Sequence, residues 1–167
     1  MIKDLILFTV VFTADRVTKV IVPHLMELHQ SIPVIPNFFN FTYLRNTGGA
    51  FGILAGWDSP IRRGFFIVAS VAAMALLVFL YRQAVSDSSP ILRLSFILIG
   101  AGALGNLYDR AVTGEVVDFI DFYIGSWHYP AFNVADSAIT VGAIILAYAY
   151  LRRETAFPGE SKEPDVP

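Results

Sequence analysis

The chain has 167 residues, 55% of them hydrophobic and 16% charged, with a formal net charge of −2 and no cysteine. Soluble domains carry closer to about a quarter charged residues, so a mean hydropathy of +0.59 points to a bilayer rather than to water. The lack of cysteine excludes disulfides, thiolate nucleophiles and thiolate metal sites, and scattered Lys and Arg residues offer no patch for a nucleic acid.

The apolar residues fall in blocks suited to helices that cross a bilayer core, about 17–25 residues each. The first predicted span covers residues 5–22 and ends at Pro23. Its basic start and short apolar run have the look of a cleavable leader. No small-x-small site follows, however, and the run resumes at Val20 after Asp15, Arg16 and Lys19, so it is read as a retained span. Residues 32–55 are Pro-punctuated and rich in β-branched and aromatic side chains, with a turn at 46–49. They predict a small sheet lying on the membrane, because strands isolated in lipid leave backbone groups unpaired. The second span covers 64–81 and the third 90–108, where Gly100, Gly102 and Gly105 suit close helix packing. The fourth covers 135–151 and stops at Arg152 and Arg153. The expected fold is therefore an integral membrane, mainly α protein of four transmembrane helices with a small outer β-sheet. Residues 1–153 form one domain, followed by an acidic, Pro-rich and disordered tail at 154–167.

Orientation follows from the cations. With both termini inside, Lys3, Arg82, Arg93, Arg152, Arg153 and Lys162 are cytoplasmic, while Arg45, Arg62, Arg63 and Arg110 are outside. The bias runs in the expected direction, although the Arg62–Arg63 pair opposes it. Residues 24–62 and 110–133 are then on the outer side.

An ionisable group in hydrocarbon is disfavoured by roughly 2.5–3.5 kcal/mol on insertion scales, so each one calls for a reason. Asp15 and Lys19 are four residues apart on one helix face and can neutralise each other, either as a structural pair or in a direct role. Asn106, Asp109 and Arg110 form a second polar face, which favours a cavity between helices over a mere interface marker. Asp136 stands in the first turn of the fourth span behind Asn133, a plausible N-cap, so capping is its ordinary explanation. Asp118 lies in the outer loop with Asp121 one helical turn away as its equal. Two carboxylates within hydrogen-bond reach share a proton and can activate water for peptide hydrolysis. Other chemistries are thinner. His24, His29 and His128 lack metal-ligand spacing, and His128 between Trp127 and Tyr129 reads as an interfacial aromatic cluster. Ser137 is the only serine adjoining the polar set, and the 46–52 segment lacks the lysine of a phosphate loop.

Five motifs, taken together, resemble the bacterial lipoprotein signal peptidases (signal peptidase II). They are Asp15-Arg16-Val17-Thr18-Lys19, Asn46-Thr47-Gly48-Gly49-Ala50-Phe51-Gly52, Gly105-Asn106-Leu107-Tyr108-Asp109-Arg110, Val116-Val117-Asp118-Phe119 and Phe132-Asn133-Val134-Ala135-Asp136-Ser137. The resemblance covers nearly the whole chain except the tail. It implies an aspartic endopeptidase of the bacterial inner membrane that cleaves prolipoproteins before a lipid-modified cysteine. Asp118 and Asp136 are then the catalytic pair, which selects Asp118 over Asp121. Asn46, Gly48, Asn106, Arg110, Asn133 and Ala135 surround the site and substrate, and Asp15, Lys19 and Asp109 support it. The resemblance also implies a β-cradle and a short outer helix, no metal or other cofactor, a monomer in contact with membrane lipids, and inhibition by globomycin-type compounds. Two readings from other classes are a small proton-coupled transporter or channel subunit, since intramembrane acids serve as relays, and a membrane scaffold.

Overall fold

The computed structural model describes residues 2–48, 60–86 and 89–156. Its elements in chain order are α1 (Ile2–Leu25), β1 (Ser31–Ile35), β2 (Phe39–Asn46), α2 (Pro60–Ser86), α3 (Pro90–Val112), β3 (Val116–Ile124), β4 (Trp127–His128) and α4 (Val134–Ala156). The predicted spans lie inside the four helices, each of which extends a few residues beyond them. Residues 154–156, predicted as part of a disordered tail, continue α4; the rest of that tail lies outside the described residues, as does the motif from Gly49 to Gly52. The described residues contain no short outer helix.

The centre of the bundle is α3, which packs against α4, α2 and α1. Two glycines set these distances. A Cβ at Gly102 would stand 2.3 Å from the Ala135 carbonyl oxygen, and one at Gly105 would stand 2.4 Å from Asp15 Oδ2. Only glycine admits α4 and α1 so closely. Gly100 is different, because a Cβ there would meet Phe8 at an ordinary 3.6 Å.

By length and apolar composition, α2, α3 and α4 are candidate membrane spans. With 24 residues α1 is about 36 Å long, yet its charges keep it out of that set. The charges point inward: Asp15 and Lys19 are 0% and 3% exposed, while Leu5, Ile6, Val10, Val17, Val20 and Ile21 are exposed. Its polar face is thus the packed face and its outer face is apolar, which an average over the whole helix conceals.

The strands form one antiparallel sheet in the order β1-β2-β3-β4. Composition predicts strands at 32–55 and a loop at 110–133, so β3 and β4 are additions to that expectation. β3 is rich in Val, Ile, Phe and Tyr, which favour strands. Its acids at 118 and 121 are both buried, which breaks the alternation that marks a half-buried strand. Asp118 and Asp121 are therefore not one helical turn apart. An odd separation on a strand puts them on opposite faces of the sheet.

Candidate active site

Asp118 from β3 and Asp136 from the first turn of α4 line one cavity of about 410 Å³. Asn46, Asn106 and Arg110 also line it, and Tyr129 to Phe132 close one side. Deeper between the helices the walls are Ser70 and Ala73 from α2, Ala103 from α3, and Ile139 and Thr140 from α4. The pocket is polar at its outer end and apolar within.

A register shift in the sheet aims Asn46. Phe41 pairs with Ile120 and Leu44 with Asp118, so β2 carries one extra residue between those pairs. Such a bulge reverses the facing of every later side chain. Asn40 and Thr42, before the bulge, meet Asp121, with Asn40 Nδ2 donating to Oδ2 at 3.0 Å. Asn46, after it, turns to the other face, where its Nδ2 donates to Asp118 Oδ2 at 3.1 Å. The bulge thus gives the two strand aspartates separate sets of partners. Asp121 also bonds His128 Nδ1 at 2.9 Å, and His128 stacks on Tyr123. The aromatic partner of His128 is thus Tyr123 on β3 rather than its chain neighbours Trp127 and Tyr129, and Tyr129 meets Phe132 instead.

Three asparagines serve the two cavity aspartates, and a donor holds each amide oxygen. Asn46 Oδ1 accepts from Gly48 N–H at 2.9 Å. Asn133 Oδ1 accepts from Asp136 N–H at 3.0 Å, while Asn133 N–H donates to Asp136 Oδ2 at 3.3 Å. This reciprocal pair is a capping box for α4, so the predicted N-cap is present. Asn106 Oδ1 accepts from Lys19 Nζ at 2.8 Å. With the oxygens held, the NH₂ groups face the acids: Asn133 Nδ2 donates to Asp118 Oδ1 and Asn106 Nδ2 to Asp136 Oδ1, both at 2.7 Å.

Burial and, after it, the nearby charge of Asp136 push the Asp118 carboxyl up to about 6, against the pull of the Asn46 and Asn133 amides. Low-dielectric surroundings favour the neutral acid. Arg110 reaches across the same cavity, with Nη2 donating to the Gly48 carbonyl at 3.2 Å and its guanidinium 5.3 Å from the Phe66 ring centre.

Behind the cavity, α1 meets α3 and α4 through charge. Lys19 Nζ lies 2.9 Å from Asp15 Oδ1 and 2.8 Å from Asp109 Oδ2. The second contact is an ion pair without hydrogen-bond alignment. Arg16 pairs with Asp109 Oδ1 and lies over the Tyr108 ring. Asp15 Oδ1 also accepts the N–H of Ala135, which is fully buried, and so ties α1 to the start of α4. The Asp15–Lys19 pair matches the expectation from spacing, whereas the roles of Arg16 and Asn106 as partners of this group do not follow from it. Arg63 was legible only as a cation on the wrong side. Its side chain donates to the carbonyls of Arg110 and Val112 and caps the last turn of α3. No local signal in the sequence marks these long-range contacts.

Residues 7–152 match the family model described as signal peptidase (SPase) II. A lipoprotein signal peptidase of Desulforapulum autotrophicum is 46% identical over 140 residues, covering 84% of this chain and 86% of that protein. One from Geobacter sulfurreducens is 48% identical over the same length, with 84% and 86% covered. Among solved structures, a bacterial membrane enzyme superposes with a TM-score of 0.81 at 37% identity, covering 95% of this chain and 93% of that one. With family motifs, membrane helices, sheet and cavity all present in one chain, it belongs to the signal peptidase II family.

Proposed function

We propose that the chain removes the signal peptide from lipid-modified prolipoproteins, cleaving before the diacylglyceryl-cysteine, with Asp118 and Asp136 as the catalytic pair. The observation that carries this reading is the shared cavity, in which a buried Asp118 and a half-buried Asp136 are held by neutral amide donors. Asp118, which burial favours as the neutral acid, begins with the proton and polarises the scissile carbonyl. Asp136 takes a proton from water, whose oxygen attacks the carbonyl carbon to form a tetrahedral intermediate. As the C–N bond breaks, the proton passes to the leaving amine of the cysteine. Asn46, Asn106 and Asn133 keep the carboxylates in place, and Arg110 with Gly48 borders the bound peptide. Family membership displaces the transporter and scaffold readings.

The same reading takes α1 as a fourth span, with both termini cytoplasmic and the sheet and cavity on the outer face of the inner membrane. The enzyme works as a monomer among membrane lipids, and globomycin-type inhibitors occupy the cavity. Purified protein should cleave a lipidated prolipoprotein peptide, with globomycin blocking the reaction and metal chelators and thiol- or serine-directed reagents leaving it intact. Reversible loss of activity with EDTA, or no cleavage of any lipidated substrate by folded protein, would refute the assignment. A single cysteine at position 86 should resist an impermeant thiol reagent in intact cells; labelling there would overturn the topology.

A further inference from the structure

Two of the three asparagines that serve the aspartate pair are held by backbone N–H groups, those of Gly48 and Asp136. The third is not. Asn106 is held chiefly by the Lys19 ammonium, with Asn133 Nδ2 a longer donor to the same oxygen at 3.5 Å. Lys19 is 3% exposed and surrounded by Asp15 Oδ1, Asp109 Oδ2 and Asn106 Oδ1 at 2.8–2.9 Å. An amide can present only its oxygen to an ammonium, since turning it over would set NH₂ against NH₃⁺. Lys19, with the shorter of the two bonds to Asn106 Oδ1, is therefore the stronger hold on the orientation in which Asn106 Nδ2 meets Asp136 Oδ1 at 2.7 Å.

We infer that Lys19 is a positioning residue for the reaction as well as half of an ion pair: it locks the Asn106 amide, and the locked amide fixes the plane of the Asp136 carboxylate. With Oδ1 taken by Asn106, the carboxylate has Oδ2 left for water, and that oxygen meets the Asn133 N–H at a looser 3.3 Å. A carboxylate held within a few tenths of an ångström of its working geometry keeps the advantage of orientation, which a freely rotating one loses. The spacing of Asp15 and Lys19 suggests only their mutual neutralisation; the reach of Lys19 to Asn106 on α3 adds the link to Asp136. The inference rests on the assignment of Asp136 as catalytic.

Its test is a kinetic double-mutant cycle on the full-length protein with a lipidated peptide, measuring kcat and KM for the parent, Lys19→Met, Asn106→Ala and the double variant. Lys19→Met should lower kcat about tenfold with KM little changed. In the Asn106→Ala background it should lower kcat no further, because the lock has nothing left to hold. Asn106→Asp retains an acceptor for Lys19 but sets a carboxylate in place of an NH₂ against Asp136 Oδ1, so it should lose kcat at least as far as Asn106→Ala. Arg16→Gln weakens the same charged cluster without touching Lys19, Asn106 or Asp136, and should lower the thermal midpoint while leaving kcat in place. The inference is overturned if folded Lys19→Met retains the parental kcat, if its loss recurs in full on Asn106→Ala, if Asn106→Asp is fully active, or if Arg16→Gln loses kcat to the same extent. Asp136→Asn separates the two levels of the argument. If that variant cleaves at the parental rate, the catalytic assignment itself fails; if it is inactive while Lys19→Met is fully active, only the positioning role fails.

Discussion

Asp15 and Asp109 lie between α1 and α3 beside Lys19 and Arg16, whereas Asp118 and Asp136 lie between β3 and α4 beside three asparagines. All four are aspartates in a largely apolar protein, and the partners divide them into two kinds. A cation at contact distance ties a carboxylate on one helix to its neighbour by charge, so the first pair is suited to holding helices together. An amide NH₂ supports a carboxylate by one neutral hydrogen bond and carries no charge of its own. On the proposed reading, the second pair is the one free to exchange a proton with a substrate. Arg110, the cation that shares their cavity, bonds the Gly48 and Asn106 carbonyls.

The largest expected effect comes from breaking the amide-held pair. Asp118→Asn and Asp136→Asn should each lower the cleavage rate by about 10³-fold or more while the protein stays folded, because an amide at 136 cannot accept the proton from water and an amide at 118 cannot give a proton to the carbonyl oxygen. Near-parental cleavage by either folded variant would remove the distinction between the two pairs. The ion-paired group should respond chiefly in stability, beside the roughly tenfold loss of kcat expected of Lys19→Met. Lys19→Met removes the ammonium that Asp15 and Asp109 share, at a cost of about 3–5 kcal/mol, whereas Asp15→Asn should cost less because Lys19 keeps Asp109. The double replacement should cost less than the sum. Strict additivity in thermal unfolding in detergent would mean that the two are not coupled.

Acid titration sharpens the same contrast. The folded protein holds the Asp118 proton up to about 6, above the ordinary value of 3.8, so it binds that proton more tightly than the unfolded chain does. Stability from this group is fully present below the unfolded value and is lost as pH rises through about 6. The loss amounts to about 3 kcal/mol, and it should disappear from the pH profile of Asp118→Asn. The smallest effect is expected at the other strand acid. Asp121→Asn gives up part of its bonding to Asn40, Thr42 and His128 on the far face of the sheet. It should cost about 1–2 kcal/mol of stability and retain substantial activity; an inactive, folded Asp121→Asn would mean that the two faces of β3 are not separate.

Much of this was readable from residue types and spacing. Apolar blocks marked the four helices, and the i,i+4 spacing marked the Asp15–Lys19 pair. Asn133 before Asp136 announced the cap that the structure contains. What escaped reading depends on contacts far apart in sequence. β3 is buried on both faces, so its two acids removed the alternation that identifies a strand. Asp118 and Asp121 face opposite ways once 116–124 is a strand, but the separate partners that distinguish them come from a bulge in a different strand, β2, which the 116–124 segment does not contain. The motif resemblance singled out Asp118, and the facing of β3 supplies a physical reason for the difference. The extra partners of Lys19 and Arg16 come from α3, about ninety residues later in the chain.

The most direct test of the division is infrared titration of the purified protein, following the carbonyl band of protonated carboxylic acids. A proton-bearing acid titrating near pH 6 should give a band that Asp118→Asn removes and Asp109→Asn leaves in place. A band that survives Asp118→Asn unchanged, or that vanishes in a folded Asp109→Asn protein, would place the mobile proton in the ion-paired cluster and contradict the account.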